Sequence, residues 1–280
     1  MLSKKEQLKL KKKANLIRQD IIRMIYHAES GHPAGSLSMT DILTYLYFKF
    51  LKTYPDEPNS PKRDYLILSN GHICPALYAT LAHKGFFKTK ELLTLRKLDS
   101  QLQGHPHRTE LPGLETSSGP LGSGLSQGAG IALALKHDNK NNKVIVLTSD
   151  GEHDEGNTWE AAMLTAKYKL DNLIQIMDKN HIQIDGFTDE IMPLGNIKKN
   201  YESFGWHVQE INGHNFQEIE KALNKATHFK GKPSLIIANT IPGKGVTFMQ
   251  NTNKWHGKAP DHHETHEAIL QLKGEYEKLK

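Results

Sequence analysis

Two residues at the ends of apolar runs offer oxygen ligands in a pattern that suits a divalent cation. The run Val144-Ile-Val-Leu-Thr-Ser stops at Asp150-Gly151, and the run Asn172-Leu-Ile-Gln-Ile-Met stops at Asp178-Lys-Asn180-His-Ile182. Short runs of this kind, ending in a carboxylate or carboxamide and a turn, read as strands buried on both faces. Ligands of a parallel α/β sheet lie beyond the carboxyl ends of its strands. Asp150 and Asn180 are therefore expected to enter one crevice from different strands. Mg²⁺ accepts few protein oxygens and fills its octahedron with phosphate oxygens and water, so the pair suits Mg²⁺ carrying a diphosphate. Gly151, without a Cβ, lets the backbone come close to such a ligand.

Four histidines stand on glycine turns: His32 in Ser-Gly-His-Pro, His72 in Asn-Gly-His, His105 in Gly-His-Pro and His256 in Trp-His-Gly. One such histidine is most simply a surface residue. Four of them suit hydrogen bonding to hydroxyl groups and proton movement near neutral pH, because imidazole both donates and accepts there. The glycine-rich piece Ser117 to Gly130 departs from G-x-G-x-x-G, and no P-loop occurs. It runs into a helix expected over Leu125–Lys136, whose first N–H groups are available to an anion. Glu155 and Glu160 suit the start of the next helix, where the dipole favours carboxylates. His262 and His266 are one helical turn apart, but without H-E-x-x-H order or a third ligand they read as a polar surface helix rather than a zinc site.

The elements that must position these residues alternate. A helix is expected over residues 5 to about 30, ended by Gly31 and Pro33, then a helix over Asp41–Leu51 and a strand over Asp64–Ser69. After the strand to Asp150 come a helix over Trp159–Lys169, the strand to Asp178, a helix near Ile197–Phe204, a strand over Val208–Ile211, a helix over Phe216–Thr227 and a buried strand over Ser234–Thr240. This alternation predicts an α/β fold with a doubly wound, mostly parallel sheet. The 280 residues read as one domain, 1–280, with a helical N-terminal extension over about 1–30.

The ordered set of Asp150-Gly151, Glu155-Gly156, Trp159-Glu160, Asp178-x-Asn180-x-Ile182 and Ile184-Asp185-Gly186 resembles the thiamine diphosphate fingerprint of the transketolase family. The blocks around His32 and His72 resemble the family's first signatures, and the likeness is collinear from Ser30 to His256. One departure is Ser149, where the fingerprint opens with glycine; another is Ser123, where the family often has glutamine. The resemblance implies a thiamine diphosphate-binding fold of the diphosphate-binding type. It implies Mg²⁺ (or Ca²⁺ or Mn²⁺ in its place) on Asp150, Asn180 and the carbonyl of Ile182. It implies contacts to the cofactor from His72, Gly119, Pro120, Leu121, Gly151, Glu155, Asn180 and Ile184. His32, His72, His105 and His256 would surround the sugar, and Glu155 would join a carboxylate network at a subunit interface.

The likeness covers only the N-terminal, diphosphate-binding part of a transketolase, and the stretch beyond His256 is too short for a pyrimidine-binding domain. The chain thus looks like the N-terminal subunit of a split transketolase, inactive alone. Its expected partners are a C-terminal subunit in a heterotetramer, a second copy across the diphosphate-domain interface, and sugar phosphates. The implied reaction moves a two-carbon ketol unit from a ketose phosphate to an aldose phosphate, as in the pentose phosphate pathway. The alternatives are a split enzyme for modified sugars, a relative of deoxyxylulose-phosphate synthase, and a non-catalytic scaffold.

Bulk properties fit this reading. The charged fraction is 24% and the hydrophobic fraction 37%, as in water-soluble globular proteins. The net charge of +5 owes much to the lysines between Lys4 and Lys13, which interleave with leucines as on a solvated helix face. No basic-aromatic motif indicates nucleic acid, and no apolar stretch is long enough for a membrane. With a single cysteine, Cys74, and no secretory signal pattern, a cytoplasmic location is expected.

Overall fold

The computed structural model describes residues 1–279. Seven strands occur among them, in the order β1 (Tyr65–Leu68), β2 (Val144–Ser149), β3 (Leu173–Lys179), β4 (Ile182–Gln183), β5 (Gly186–Phe187), β6 (His207–Asn212) and β7 (Ser234–Asn239). Five of them form one sheet, ordered β1-β2-β3-β7-β6 and parallel throughout. β4 and β5 form a separate antiparallel hairpin. The chain crosses from β1 to β3, jumps to the β6 edge and returns through β7.

Alternate residues of each central strand feed different cores. Ile145, Leu147, Ile174, Ile176 and Ile236 join one, and Val144, Val146, Leu173, Leu235 and Ile237 join the other. Both faces are thus apolar, which is why these strands lack a polar alternation. The first core is closed by α1 (Lys4–Ala28), α2 (Pro33–Ser38), α3 (Thr40–Tyr45), α4 (Cys74–Lys84), α9 (Phe216–His228) and α10 (His262–Lys278). The second is closed by α5 (Ser123–His137), α6 (Gly156–Lys167) and α8 (Ile197–Phe204). A one-turn α7 (Thr188–Ile191) comes directly after the hairpin.

Two expectations change. The N-terminal helix is no extension: Ile17, Ile21, Ile22, Met24 and Ile25 are fully buried in the first core. Its Arg18 reaches Asp41 of α3 with Nη1 at 3.1 Å and Nη2 at 2.7 Å. His214 Nδ1 lies 2.8 Å from the same carboxylate, so three segments meet at Asp41. The lysines between its apolar positions concealed a helix whose other side is core. The helix expected over Asp41–Leu51 is α only to Tyr45; Leu46–Phe50 widen into a π-turn, closed by Leu51 N–H donating to Leu46 O at 2.8 Å.

Candidate active site

The two expected metal ligands sit where the strand ends place them. Asp150 follows β2, is 2% exposed, and accepts hydrogen bonds from Gly151 N–H (2.9 Å) and His181 N–H (2.7 Å). Asn180 follows β3; its Nδ2 donates to Asp178 Oδ2 at 2.9 Å, and its Oδ1 accepts from Ile182 N–H at 3.0 Å. Asp178 is fully buried and also accepts from the hydroxyls of Ser38 (2.6 Å) and Thr240. Burial first, and then the nearby Asp178 charge, push the Asp150 carboxyl up to about 7. The hydrogen bonds from the His181 and Gly151 amides act against that rise without cancelling it. A buried carboxylate without a counter-charge is costly unless a cation arrives.

Among the described residues no three His, Cys, Asp or Glu side chains converge as metal ligands. The donors present are one carboxylate and one carboxamide, with Ile182 buried beside them. Such a set is too small for an all-protein cage and fits a hard cation that brings its own phosphate oxygens and water. The residues therefore fit Mg²⁺ with a diphosphate.

A cavity of 410 Å³ adjoins this corner, lined by Asn180, Ile182, Gly151, Gly119, Leu121 and all four turn histidines. The turn after α1 carries His32, the turn after β1 carries His72, and the loop before α10 carries His256. Their ring centroids lie 5.0 Å (His32–His72), 5.5 Å (His32–His256) and 5.3 Å (His72–His256) apart. Burial, with His256, Arg96 and His105 adding, pushes His32 down to about 4. Burial also pushes His72 well below its ordinary value and lowers His105 and His256. The lowered proton affinity of all four favours the neutral imidazole, which donates one hydrogen bond and accepts another. The buried Nδ1 of His32 has no partner among the described residues.

The glycine-rich loop is held differently from expectation. Gly122 N–H donates to Glu152 Oε1 at 2.6 Å, and Gly124 N–H donates to Ser69 Oγ at 2.9 Å. Two amides at the start of α5 are thus satisfied within the chain and are not open to an anion. Glu152, 1% exposed, also accepts from the Ser69 hydroxyl and from Ser149 N–H (3.1 Å). It ties the β1 end, the glycine loop and the fingerprint turn together, and burial pushes its carboxyl up to about 6. Gly122 has φ +78°, and a Cβ there would overlap Asn157 Oδ1, so only glycine fits.

Glu155 and Ile184 line the cavity from its exposed rim, Ile184 being 72% exposed. Pro120 is exposed and does not line it. The Asp150 side chain lines a second cavity, of 360 Å³, with Lys179, His181 and Thr188. Sequence reasoning passed over Glu152 and the supporting role of Asp178. Glu152 lies inside the fingerprint turn, and a carboxylate two residues after Asp150 was the available signal. The partners of Asp178, Ser38 and Thr240, come from distant segments and left none.

The fold and site define a parallel α/β domain that gathers an oxygen-ligand corner and a histidine-lined cavity at its strand ends. A family profile described as transketolase, thiamine diphosphate binding domain, matches residues 10–277, and the chain belongs to the transketolase family. It is 41% identical over 274 residues to an apulose-4-phosphate transketolase subunit of Phocaeicola vulgatus, covering 98% of this chain and 96% of that one. It is 44% identical over 245 residues to a 6-deoxy-6-sulfo-D-fructose transketolase subunit of Clostridium sp. (strain MSTE9), covering 88% and 89%. The transketolase structure from Leishmania mexicana superposes with a TM-score of 0.90 at 32% identity, over 96% of this chain and 41% of that one. The chain spans about two fifths of the length of that transketolase. Among the described residues no helix is long and apolar enough to cross a membrane.

Proposed function

We propose that this chain is the diphosphate-binding subunit of a two-chain transketolase that moves a two-carbon ketol unit between sugar phosphates. The observation that carries the reading is the meeting of three imidazoles within 5.5 Å on one cavity with the Asn180–Ile182 corner. Thiamine diphosphate would supply the carbon nucleophile and electron sink for carbon–carbon bond cleavage. Asp150, Asn180 and the Ile182 carbonyl would hold its Mg²⁺, with Gly119, Leu121, Gly151, Glu155 and Ile184 along its length. His32, His72, His105 and His256 would bind the hydroxyls of the sugar and hold or move its protons, since their neutral state permits both directions.

Among the described residues no lysine or arginine lines the cavity, so the phosphate of the sugar is left to groups from another chain. The two relatives named as subunits support a separate partner chain. In this reading the partner is the C-terminal subunit, and the assembly is a cytoplasmic heterotetramer with a second copy of this chain. They also favour a second reading of the substrate: both are named for modified sugars, so the specialised split enzyme stands beside the pentose phosphate pathway role.

The test is co-expression with the candidate C-terminal chain, with thiamine diphosphate and Mg²⁺. Transfer from xylulose 5-phosphate to ribose 5-phosphate is measured, and apulose 4-phosphate and 6-deoxy-6-sulfofructose are assayed alongside. Turnover by the pair on any of these supports the reaction class and selects the substrate. A complex that neither binds thiamine diphosphate nor turns over any of them rejects it and leaves the scaffold reading.

A further inference from the structure

Arg96 lies between two of the histidine turns and belongs to neither. Its Nη1 donates to Ser30 Oγ at 2.9 Å, two residues before His32, and its Nη2 donates to Gly104 O at 3.3 Å, one residue before His105. The approach to the second turn is close: a Cβ on Gly104 would sit 3.1 Å from the Arg96 guanidinium carbon. Arg96 itself has φ +59°, a left-handed backbone that non-glycine residues adopt at a cost and that clusters at functional sites. Its N–H donates to Leu102 O at 2.9 Å and closes the 96–102 loop. Cys74 Sγ (3.2 Å to Gly104 O) and Tyr78 OH (3.0 Å to Gln103 O) brace the same stretch from α4. No carboxylate of the described residues pairs with the guanidinium, so its positive charge is free to act on its surroundings.

We propose that Arg96 is a positioning residue for the sugar site: its forked guanidinium, bonded to Ser30 on one side and Gly104 on the other, sets the His32 and His105 turns at a fixed separation. Lysine could supply the charge but not two diverging N–H groups in one plane. The groups facing these imidazoles are His72 from the β1 turn and His256 from the C-terminal loop, with the carboxylates Glu152, Asp154, Glu155, Asp178 and Asp185 on the same cavity. Burial lowers the affinity of His32 and His105 for protons, and Arg96 adds to the effect on both. The catalytic meaning of the inference rests on the proposed transketolase reaction; its structural content does not.

The experiment tracks the imidazole resonances of His32 and His105 by NMR pH titration of the isolated chain, in the wild type, Arg96→Gln and Arg96→Lys. Loss of the charge in R96Q is expected to raise both midpoints by about half a pH unit. R96K is expected to keep them near the wild-type values. Unchanged midpoints in R96Q, or an equal rise in R96K, overturn the electrostatic effect of Arg96 without reference to any activity. In the active pair, R96K is expected to lose on the order of tenfold in kcat/KM because the fork is gone. Full turnover by R96K overturns the positioning part, whereas a pair with no activity in the wild type overturns only the transketolase reading.

Discussion

Asn180 donates its Nδ2 proton to Asp178 Oδ2 at 2.9 Å, and that bond fixes which way the carboxamide faces. Asp178 accepts from Ser38 and Thr240 as well, so α2, β3 and the end of β7 are all committed to the same orientation. Replacing Asp178 by Asn would set an NH₂ group against converging donors and free the Asn180 amide to turn. D178N is expected to weaken Mg²⁺-dependent binding of thiamine diphosphate by about 10- to 100-fold, the usual effect of losing a residue behind a metal ligand. Isothermal titration at several Mg²⁺ concentrations checks it; unaltered affinity would show that Asp178 does not orient the ligand.

The Asp150 carboxyl makes a signed prediction about pH. Its folded value, pushed up to about 7, lies above the ordinary carboxylate value near 4. Its contribution to stability is therefore complete below about pH 4 and lost as the pH rises through about 7. Asp150→Asn sets an NH₂ group against one of the two N–H donors at every pH, so its melting temperature in the metal-free chain should gain on the wild type as the pH rises from 4 to 8. Mg²⁺ with thiamine diphosphate should stabilise the wild type at pH 8 and not D150N. Calorimetry at both pH values decides, and a difference between the two proteins that does not change with pH would remove the argument for a waiting cation site.

The histidines titrate in the opposite sense. His32, pushed down to about 4, contributes stability above about pH 6.5 that is lost as the pH falls through about 4. The neutral cluster should keep kcat/KM of the active pair level from pH 8 to about 6. His256→Gln should lower kcat/KM about 100-fold without changing cofactor affinity. A parallel loss of cofactor binding would move His256 from the sugar to the cofactor.

Gly122 tests how the loop is held. Gly122→Ala meets both the left-handed φ of +78° and the carboxamide oxygen of Asn157. The strain alone should cost about 1–3 kcal/mol, read as a lowered midpoint in urea unfolding. G122A combined with Asn157→Ala removes the overlap with the carboxamide but keeps the strain and the 2.9 Å approach to the Glu155 Cβ, so it should recover only part of the loss. Complete recovery would show that the backbone tolerates alanine there.

Much of this molecule was decided by local sequence. The apolar runs over Val144–Ser149, Leu173–Lys179 and Ser234–Asn239 became central strands because side chains of this type satisfy both faces of a covered parallel sheet. Asp150 and Asn180 followed at their ends, and the glycine turns carrying His32, His72, His105 and His256 were visible as breaks in helical and strand patterns. Other features needed the tertiary structure. The burial of α1, hidden by its lysines, depends on α3, α4 and α10 closing over it. Glu152 draws its donors from Ser69, Gly122 and Ser149, and Arg96 joins Ser30 to Gly104, contacts far apart in the chain. The sequence by itself determined which groups stand at the strand ends, because that follows from local periodicity and turn chemistry. Only the packed fold decided their charge states and orientations, because burial and hydrogen bonds between distant segments set both.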